Sequence, residues 1–265
     1  MRILLTNDDG IYAAGIIAMK KALDAIGDVV VVAPDGERSG ASHSITWVHP
    51  LRVRKVYMEN ELFGYAVSGS PADCVKMAVM ELMQEPPDIL VAGINMGANV
   101  GIHVLYSGTV AAAIEGSILG IPSMAVSIDV SGYADLEYAA IIGRDVAKQV
   151  QKHKLPKCTL INVNVPTLKR EEIKGVKLTG QCTRGFEESV DRRKDPGGST
   201  YYWLAGGFEV AVEEAGTDIE AVHNGYISIT PLRYDLTDND LLKRLGSWDW
   251  KDVEEGVCKT KSVTE

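Results

Sequence analysis

The sequence predicts an α/β fold: a mostly parallel sheet flanked by helices, with a β-rich C-terminal extension. Three observations carry that reading. Apolar runs and stretches of helical period alternate as far as Val165. Several runs are β-branched or apolar at nearly every position, the pattern of strands covered on both faces in a parallel sheet. Beyond residue 174, strand-like segments follow one another with little helical period.

Arg2 to Thr6 is a short apolar run that ends at the turn residues Asn7-Asp8-Asp9-Gly10, after which Ile16, Met19, Leu23 and Ile26 repeat at helical spacing up to Gly27. Asp28 to Pro34 (DVVVVAP) reads as a buried parallel strand, so the chain opens strand, helix, strand. Asp35 to Thr46 is polar, small and long for a simple turn, a candidate functional loop. Trp47 to Met58 and Leu62 to Val67 alternate in the manner of a hairpin. Ser70-Pro71-Ala72-Asp73 places a capping hydroxyl, a proline at the first helical position and an acid three residues after the cap, ahead of Val75, Val79 and Leu82 on one face.

Asp88 to Asn95 is a further buried strand, Met96 to Gly108 a glycine-rich loop, and Thr109 to Leu119 an alanine-rich helix. Pro122 to Asp129 reads as a strand, Leu136 to Val150 as an amphipathic helix and Cys158 to Val165 as a strand. Residues 174 to 235 hold β-like segments around the charged stretch Glu187 to Asp195 and the turn Pro196-Gly197-Gly198, and helical character returns at Asp235 to Leu245. The expected organisation is a core over 1–170, an extension with a terminal helix over 171–250 in the same domain, suited to subunit contact, and a flexible tail over 251–265.

The 265 residues suit one large domain, and at that length about 70 to 75% of the unfolded surface is buried on folding. Thirty-six Asp and Glu against 27 Lys and Arg give a formal charge of -9, the wrong sign for a protein that lives on nucleic-acid polymers or anionic membranes. A hydrophobic content of 46% with 26 glycines argues against a disordered chain and a coiled coil. Cys74, Cys158, Cys182 and Cys258 form no C-x-x-C pair and lack the His spacing of a structural zinc site, so no disulfide framework is expected. Met1 to Asn7 reads as neither a signal peptide nor a membrane span, which points to a reduced, cytoplasmic protein.

In an open parallel sheet, ligands bind beyond the carboxyl ends of the strands. Three loops there are unusual: Asn7-Asp8-Asp9-Gly10, Arg38-Ser39-Gly40-Ala41-Ser42-His43-Ser44, and Gly93-Ile94-Asn95-Met96-Gly97-Ala98-Asn99-Val100-Gly101. Adjacent carboxylates repel by about 4 kcal/mol at about 4 Å and an effective dielectric of about 20, and a divalent ion between them reverses the sign. Asp8, Asp9, a serine hydroxyl and an asparagine carbonyl are oxygen donors of the kind Mg²⁺, Mn²⁺ or Ca²⁺ take. The same Asp-Asp-Gly turn also reads as a plain helix cap.

In the third loop, glycines at 93, 97 and 101 alternate with asparagines at 95 and 99. Glycine lets backbone approach a ligand, and asparagine tolerates left-handed geometry while offering an amide. The stretch ends in Tyr106-Ser107-Gly108-Thr109 before a helix, where hydroxyl and N–H groups converge at an N-terminus that favours an anion. A phosphate cradle is one reading and a flexible loop with a capping threonine another. His43 is a candidate for substrate contact, His103 lies in the Gly-Asn loop, and His49, His153 and His223 read as surface or packing residues. The G-x-G-x-x-G, G-K-[ST], H-E-x-x-H and G-x-S-x-G signatures are all absent from the sequence.

Taken together, Thr6-Asn7-Asp8-Asp9-Gly10-Ile11, the loop Arg38 to Thr46, Ser70-Pro71-Ala72-Asp73-Cys74-Val75, Gly93 to Asn99, and Tyr106-Ser107-Gly108-Thr109-Val110-Ala111-Ala112-Ala113 resemble the SurE family of survival-protein-E nucleotidases. Thr217-Asp218 and Gly225 to Leu232 extend the resemblance, which spans about residues 1 to 240. It implies a Rossmann-like core, a β-rich extension exchanged between subunits of a homodimer or homotetramer, and a metal-dependent phosphatase acting on nucleoside monophosphates. It further implies that Asp8, Asp9, Ser39 and Asn95 hold one divalent cation per subunit, and that Ser107, Gly108 and Thr109 bind phosphate with Asn99 close by. Ala14 departs from the family's common proline, and His103 from an expected acid.

On this reading Asp8 and Asp9 are catalytic as cation holders and candidate proton acceptors, while Ser107, Thr109 and local N–H groups hold phosphoryl oxygens. Two rivals remain. An aspartyl-phosphate phosphatase needs a second acid two residues after its nucleophile, where this chain has Gly10 and Ile11. A non-catalytic nucleotide-binding module on the same fold is the other.

Overall fold

In the computed structural model, which describes residues 1–183, 187–207, 214–251 and 253, the apolar run Arg2–Thr6 forms β1. It is followed by α1 (Ala14–Leu23), β2 (Asp28–Pro34), β3 (Val53–Met58), β4 (Glu61–Val67), α2 (Pro71–Met77), β5 (Ile89–Met96) and α3 (Gly108–Ile118). Then come β6 (Ser123–Ile128), α4 (Leu136–His153), β7 (Thr159–Val165), β8 (Val176–Leu178), β9 (Glu187–Lys194), β10 (Thr200–Gly207), α5 (Asp218–His223), β11 (Ile227–Arg233) and α6 (Asn239–Leu245).

Nine strands make one sheet in the order β3-β4-β2-β1-β5-β6-β7-β11-β8, and β9 pairs with β10 in a separate antiparallel sheet. The ladders β2-β1, β1-β5, β5-β6, β6-β7, β2-β4 and β11-β8 are parallel. The expected α/β class with a mostly parallel sheet is what the chain adopts. Alternation along β1 explains the layering: Ile3 and Leu5 join a core with Ile16, Met19 and Leu23 of α1 and Ala139 and Ala147 of α4. Leu4 between them faces the opposite core, with Cys74 and Val75 of α2 and Val110 and Ala113 of α3. A Cβ on Gly15 would stand 2.1 Å from the Ile94 carbonyl oxygen, so glycine is what lets α1 press against β5.

Several expectations shift in detail. β3 starts only at Val53; Trp47 to Arg52 are irregular, and Pro50 within that stretch has no N–H for a ladder. Glu59 and Asn60, both left-handed at φ 51 and 66, turn the β3–β4 hairpin. The helix after Ser70 closes as expected in a capping box, Asp73 N to Ser70 Oγ at 3.1 Å and Ser70 N to Asp73 Oδ2 at 2.9 Å, but passes into a π-helical turn over Ala78–Leu82. α5 is a helix where no helical period is readable; it has 6 residues, under two turns, and is capped by Thr217. The strand pairing reaches past residue 170, since β8 and β11 join the main sheet while, among the described residues, β9 and β10 stand apart.

The chain divides into two compact units, Met1–Leu232 and Arg233–Glu265. In the second, Asp238 accepts from the backbone of Asp240 and Leu241 and starts α6, and the rings of Trp248 and Trp250 stack at 5.8 Å. Of the expected tail over 251–265, all but 251 and 253 lie outside the described residues. Among the described residues, no helix is long and apolar enough to cross a membrane.

Candidate functional site

β1 lies between β2 and β5, parallel to both, so the chain leaves β1 toward one neighbour and later returns on its other side. Loops at the carboxyl ends of such strands diverge and open a crevice. The three loops singled out from sequence meet there. Arg38 N donates to the Asp8 carbonyl at 2.7 Å, which ties the Ser39 loop to the acid turn. Met96 N donates to Asp9 Oδ2 at 3.3 Å and brings the end of β5, with Asn95, to the same turn. Ser42 donates from N and Oγ to the carbonyls of Tyr106 and Leu105 at 3.0 and 2.8 Å, which closes the ring toward α3.

Asp8 is 4% exposed, and its carboxyl is pushed up to about 6, chiefly by burial and further by the neighbouring Asp9. The Thr109 hydroxyl, which donates to Asp8 Oδ1, offsets only part of that. Burial also raises Asp9; the Met96 N–H opposes it, and the nearby Glu37 adds repulsion. Asn7, fully buried, donates to the Gly10 carbonyl at 2.9 Å and leaves Oδ1 without a hydrogen-bond partner, one more uncompensated oxygen at this turn. Adjacent carboxylates, one of them buried, beside an unpartnered amide oxygen are costly alone and favourable around a cation.

The remaining donors fit a hard cation. Asn95 donates its amide to the Gly97 carbonyl at 2.7 Å, so its side-chain oxygen is the atom it has to offer. Ser39 Oγ donates to Glu37 Oε1 at 2.8 Å and keeps oxygen lone pairs. Among the described residues, no three His, Cys, Asp or Glu side chains form a metal-sized cluster. Two carboxylates plus neutral oxygens is therefore the set these loops supply, suited to Mg²⁺, Mn²⁺ or Ca²⁺.

α3 begins against Asp8. A Cβ on Gly108 would lie 2.9 Å from Asp8 Cβ and 3.0 Å from Asp8 Oδ2, so glycine permits this approach. Ser107 caps the helix by accepting from Val110 N at 3.1 Å, and its hydroxyl proton stays available to donate. Thr109, fully buried, spends its hydroxyl on Asp8. Asn99 is committed to a buried polar network: Nδ2 donates to Ser127 Oγ at 2.9 Å, N to Asn164 Oδ1 at 2.8 Å, and O accepts from Asn162 Nδ2 at 2.7 Å. That network pins the Gly-Asn loop over the ends of β6 and β7. His43 lies with Nε2 2.9 Å from Glu115 Oε2.

Sequence reasoning missed several residues that hold these loops. Glu37 bears on Asp9 and binds Ser39. Asp73, read only as a cap, also accepts from Thr46 N and Oγ1 at 3.0 and 2.6 Å, and these bonds hold its carboxyl below the usual range despite burial. Asp218, fully buried, accepts from Gly101 N at 2.8 Å and from Cys182 N and Ile219 N at 2.9 Å, joining the Gly-Asn loop to residues 180–182. Burial raises its carboxyl even so. The motif Thr217-Asp218 was the signal for it, without a hint of the partner.

Comparison with known proteins gives a consistent family. Residues 3–188 match the family described as Survival protein SurE. A protein of Syntrophobacter fumaroxidans named 5'-nucleotidase SurE is 49% identical over 94% of this chain and 100% of its own. One of the same name from Heliobacterium modesticaldum is 49% identical over 94% of this chain and 92% of its own. The crystal structure of the SurE protein from Aquifex aeolicus superposes with a TM-score of 0.82 at 43% identity, covering 92% of this chain and 98% of that one. A family match over more than half the chain, near-full-length relatives and a shared fold agree: this chain belongs to the SurE family.

Proposed function

We propose that the chain is a 5'-nucleotidase: a cation-dependent phosphomonoesterase that hydrolyses nucleoside 5'-monophosphates to nucleoside and phosphate. The names of its relatives support the nucleotidase reading. The observation that carries the chemistry is the contact between Asp8 and the first turn of α3 at Gly108 and Thr109. A helix N-terminus favours an anion. The buried Asp8 carboxylate at the same point, with half-buried Asp9 beside it in sequence, repels one, a conflict that a divalent ion held by Asp8, Asp9, Ser39 and Asn95 would remove. When bound, such an ion neutralises phosphoryl oxygens and acidifies water.

The chain's own groups have separable tasks. Ser107 Oγ–H and the Gly108 N–H, a first-turn donor with no helical acceptor, hold phosphoryl oxygens. Thr109 acts by fixing the Asp8 carboxylate, and Asn99 by fixing the loop that precedes Ser107. His43, from the Ser-rich loop, reaches Glu115 of α3 and is a candidate for substrate contact. Asp8 or Asp9 takes the proton from the attacking water. Nucleoside 3'-monophosphates and short polyphosphates present the same terminal phosphoryl group and are further substrates to assay.

A cytoplasmic homodimer or homotetramer belongs to the same proposal. The β9–β10 hairpin exposes Tyr202, Trp203 and Leu204, and a lone two-stranded sheet gains little stability without a surface to cover it. A mass measurement in solution decides the assembly. The activity is tested with an aryl phosphate and a panel of nucleotides, with Mn²⁺ and with chelator. Turnover of 5'-monophosphates that chelation abolishes is expected; chelator-resistant turnover, a trapped phospho-enzyme or no turnover overturns the reading.

A further inference from the structure

Glu115 lies in α3, six residues beyond Thr109, and is 3% exposed. A buried carboxylate is retained only when paired, and this one is paired on both oxygens. Lys76 of α2 donates to Oε1 at 2.6 Å, and His43 Nε2 stands 2.9 Å from Oε2. Burial works to raise its carboxyl, and the hydrogen bonds from His43 and Lys76 outweigh that and hold it below the usual range. Lys76 takes one oxygen of the pair, and the second faces the Ser-rich loop through His43.

That loop needs holding. Gly40 and Ser42 are left-handed at φ 69 and 51, and Ser42 is not a glycine, so this stretch persists only where surrounding contacts fix it. Its backbone is tied at Arg38 to the acid turn, at Ser42 to Tyr106, at Ser44 by Ser70 Oγ at 2.6 Å, and at Thr46 to Asp73, and the Ser42 hydroxyl adds a bond to the Leu105 carbonyl. Ser39 stands between the first two ties. His43 is the side chain by which the loop grips the interior of α3, the helix whose first turn meets Asp8.

We propose that Glu115 is a positioning residue which, through His43, holds the loop that presents Ser39 to the cation, so that α3 places both the phosphate end of the site and one of its cation donors. This rests on the cation-site reading above. Groups behind the ligands of a metal set its affinity by orienting them.

The test is Mn²⁺ binding to cation-free protein, read from the paramagnetic resonance of free Mn²⁺, for wild type, Glu115→Gln, His43→Gln and the double variant. Melting curves and, for Glu115→Gln and His43→Gln, kcat and KM at saturating Mn²⁺ accompany it. Each single variant weakens Mn²⁺ by about tenfold, the double variant no further, and excess Mn²⁺ restores kcat in Glu115→Gln. Wild-type Mn²⁺ affinity in the folded variants overturns the inference and leaves the cation site standing, whether or not melting temperature falls. Unchanged Mn²⁺ affinity with a raised KM in His43→Gln also overturns it and assigns His43 to substrate. Absence of Mn²⁺ binding by wild type removes the cation-site reading and this inference with it.

Discussion

Replacing Asp8 by Asn should stabilise the cation-free protein, in a way that depends on pH. The Asp8 carboxyl is raised from 3.8 to about 6, so the folded chain holds this proton more tightly than the unfolded chain. Below the lower value both states are protonated and the residue carries no penalty. Between the two the unfolded chain releases its proton first, and stability falls as pH rises. Above about 6 the penalty is complete, about 3 kcal/mol at about 1.4 kcal/mol for each pH unit. Asn at 8 keeps an oxygen for the Thr109 hydroxyl and removes the charge that repels Asp9. Urea denaturation in chelator should therefore show the variant gaining on wild type by up to about 3 kcal/mol between pH 4 and pH 8. Thermally, each kcal/mol corresponds to about 2–4 °C for a chain of this size. Mn²⁺ at pH 8 should reverse the order, since wild type gains the ion's binding energy and the variant loses much of it. A gap independent of pH, or a wild type that gains on the variant as pH rises in chelator, would refute the reasoning.

Other perturbations follow the same geometry. Gly108→Ala puts a methyl 2.9 Å from Asp8 Cβ, so the helix or the acid must move; a stability loss of about 1–3 kcal/mol and loss of most phosphatase turnover are expected from denaturation and rate assays. Asp218→Ala leaves the N–H groups of Gly101, Cys182 and Ile219 without their acceptor and should cost about 3 kcal/mol or more, with Asp218→Asn intermediate by denaturant midpoint. Mn²⁺ added to cation-free wild type should raise the melting temperature in proportion to about 2.7 kcal/mol at about a hundred times Kd, and Asp9→Asn should abolish most of that rise.

Strands covered on both faces were the most legible part of the chain. DVVVVAP predicts a strand over Asp28–Pro34, and β2 has those ends, because its exit into the Asp35–Thr46 loop is marked by a proline and charged residues. The Ser70 capping box was legible for the same reason, all its partners lying within three residues. α5 was not, because six residues are too few to display a period. In the site, the acid turn and the Gly-Asn loop announced themselves by composition. Thr109 was read as a phosphate ligand, and its hydroxyl binds Asp8, a partner 101 positions away. Glu115 stands as one acid in an alanine-rich helix, and its partners lie 39 and 72 positions away. Asp218 reaches Gly101 across 117. Local pattern reveals donor types and caps; which loop each donor holds is settled by strand order, which brings β1, β2 and β5 side by side.

Anomalous diffraction from a crystal soaked in Mn²⁺ tests the central claim most directly. One peak is expected per chain, with oxygens of Asp8, Asp9, Ser39 and Asn95 at about 2.0–2.6 Å from it. A map with no peak among these four side chains, or with the ion held elsewhere on the chain, would contradict the account.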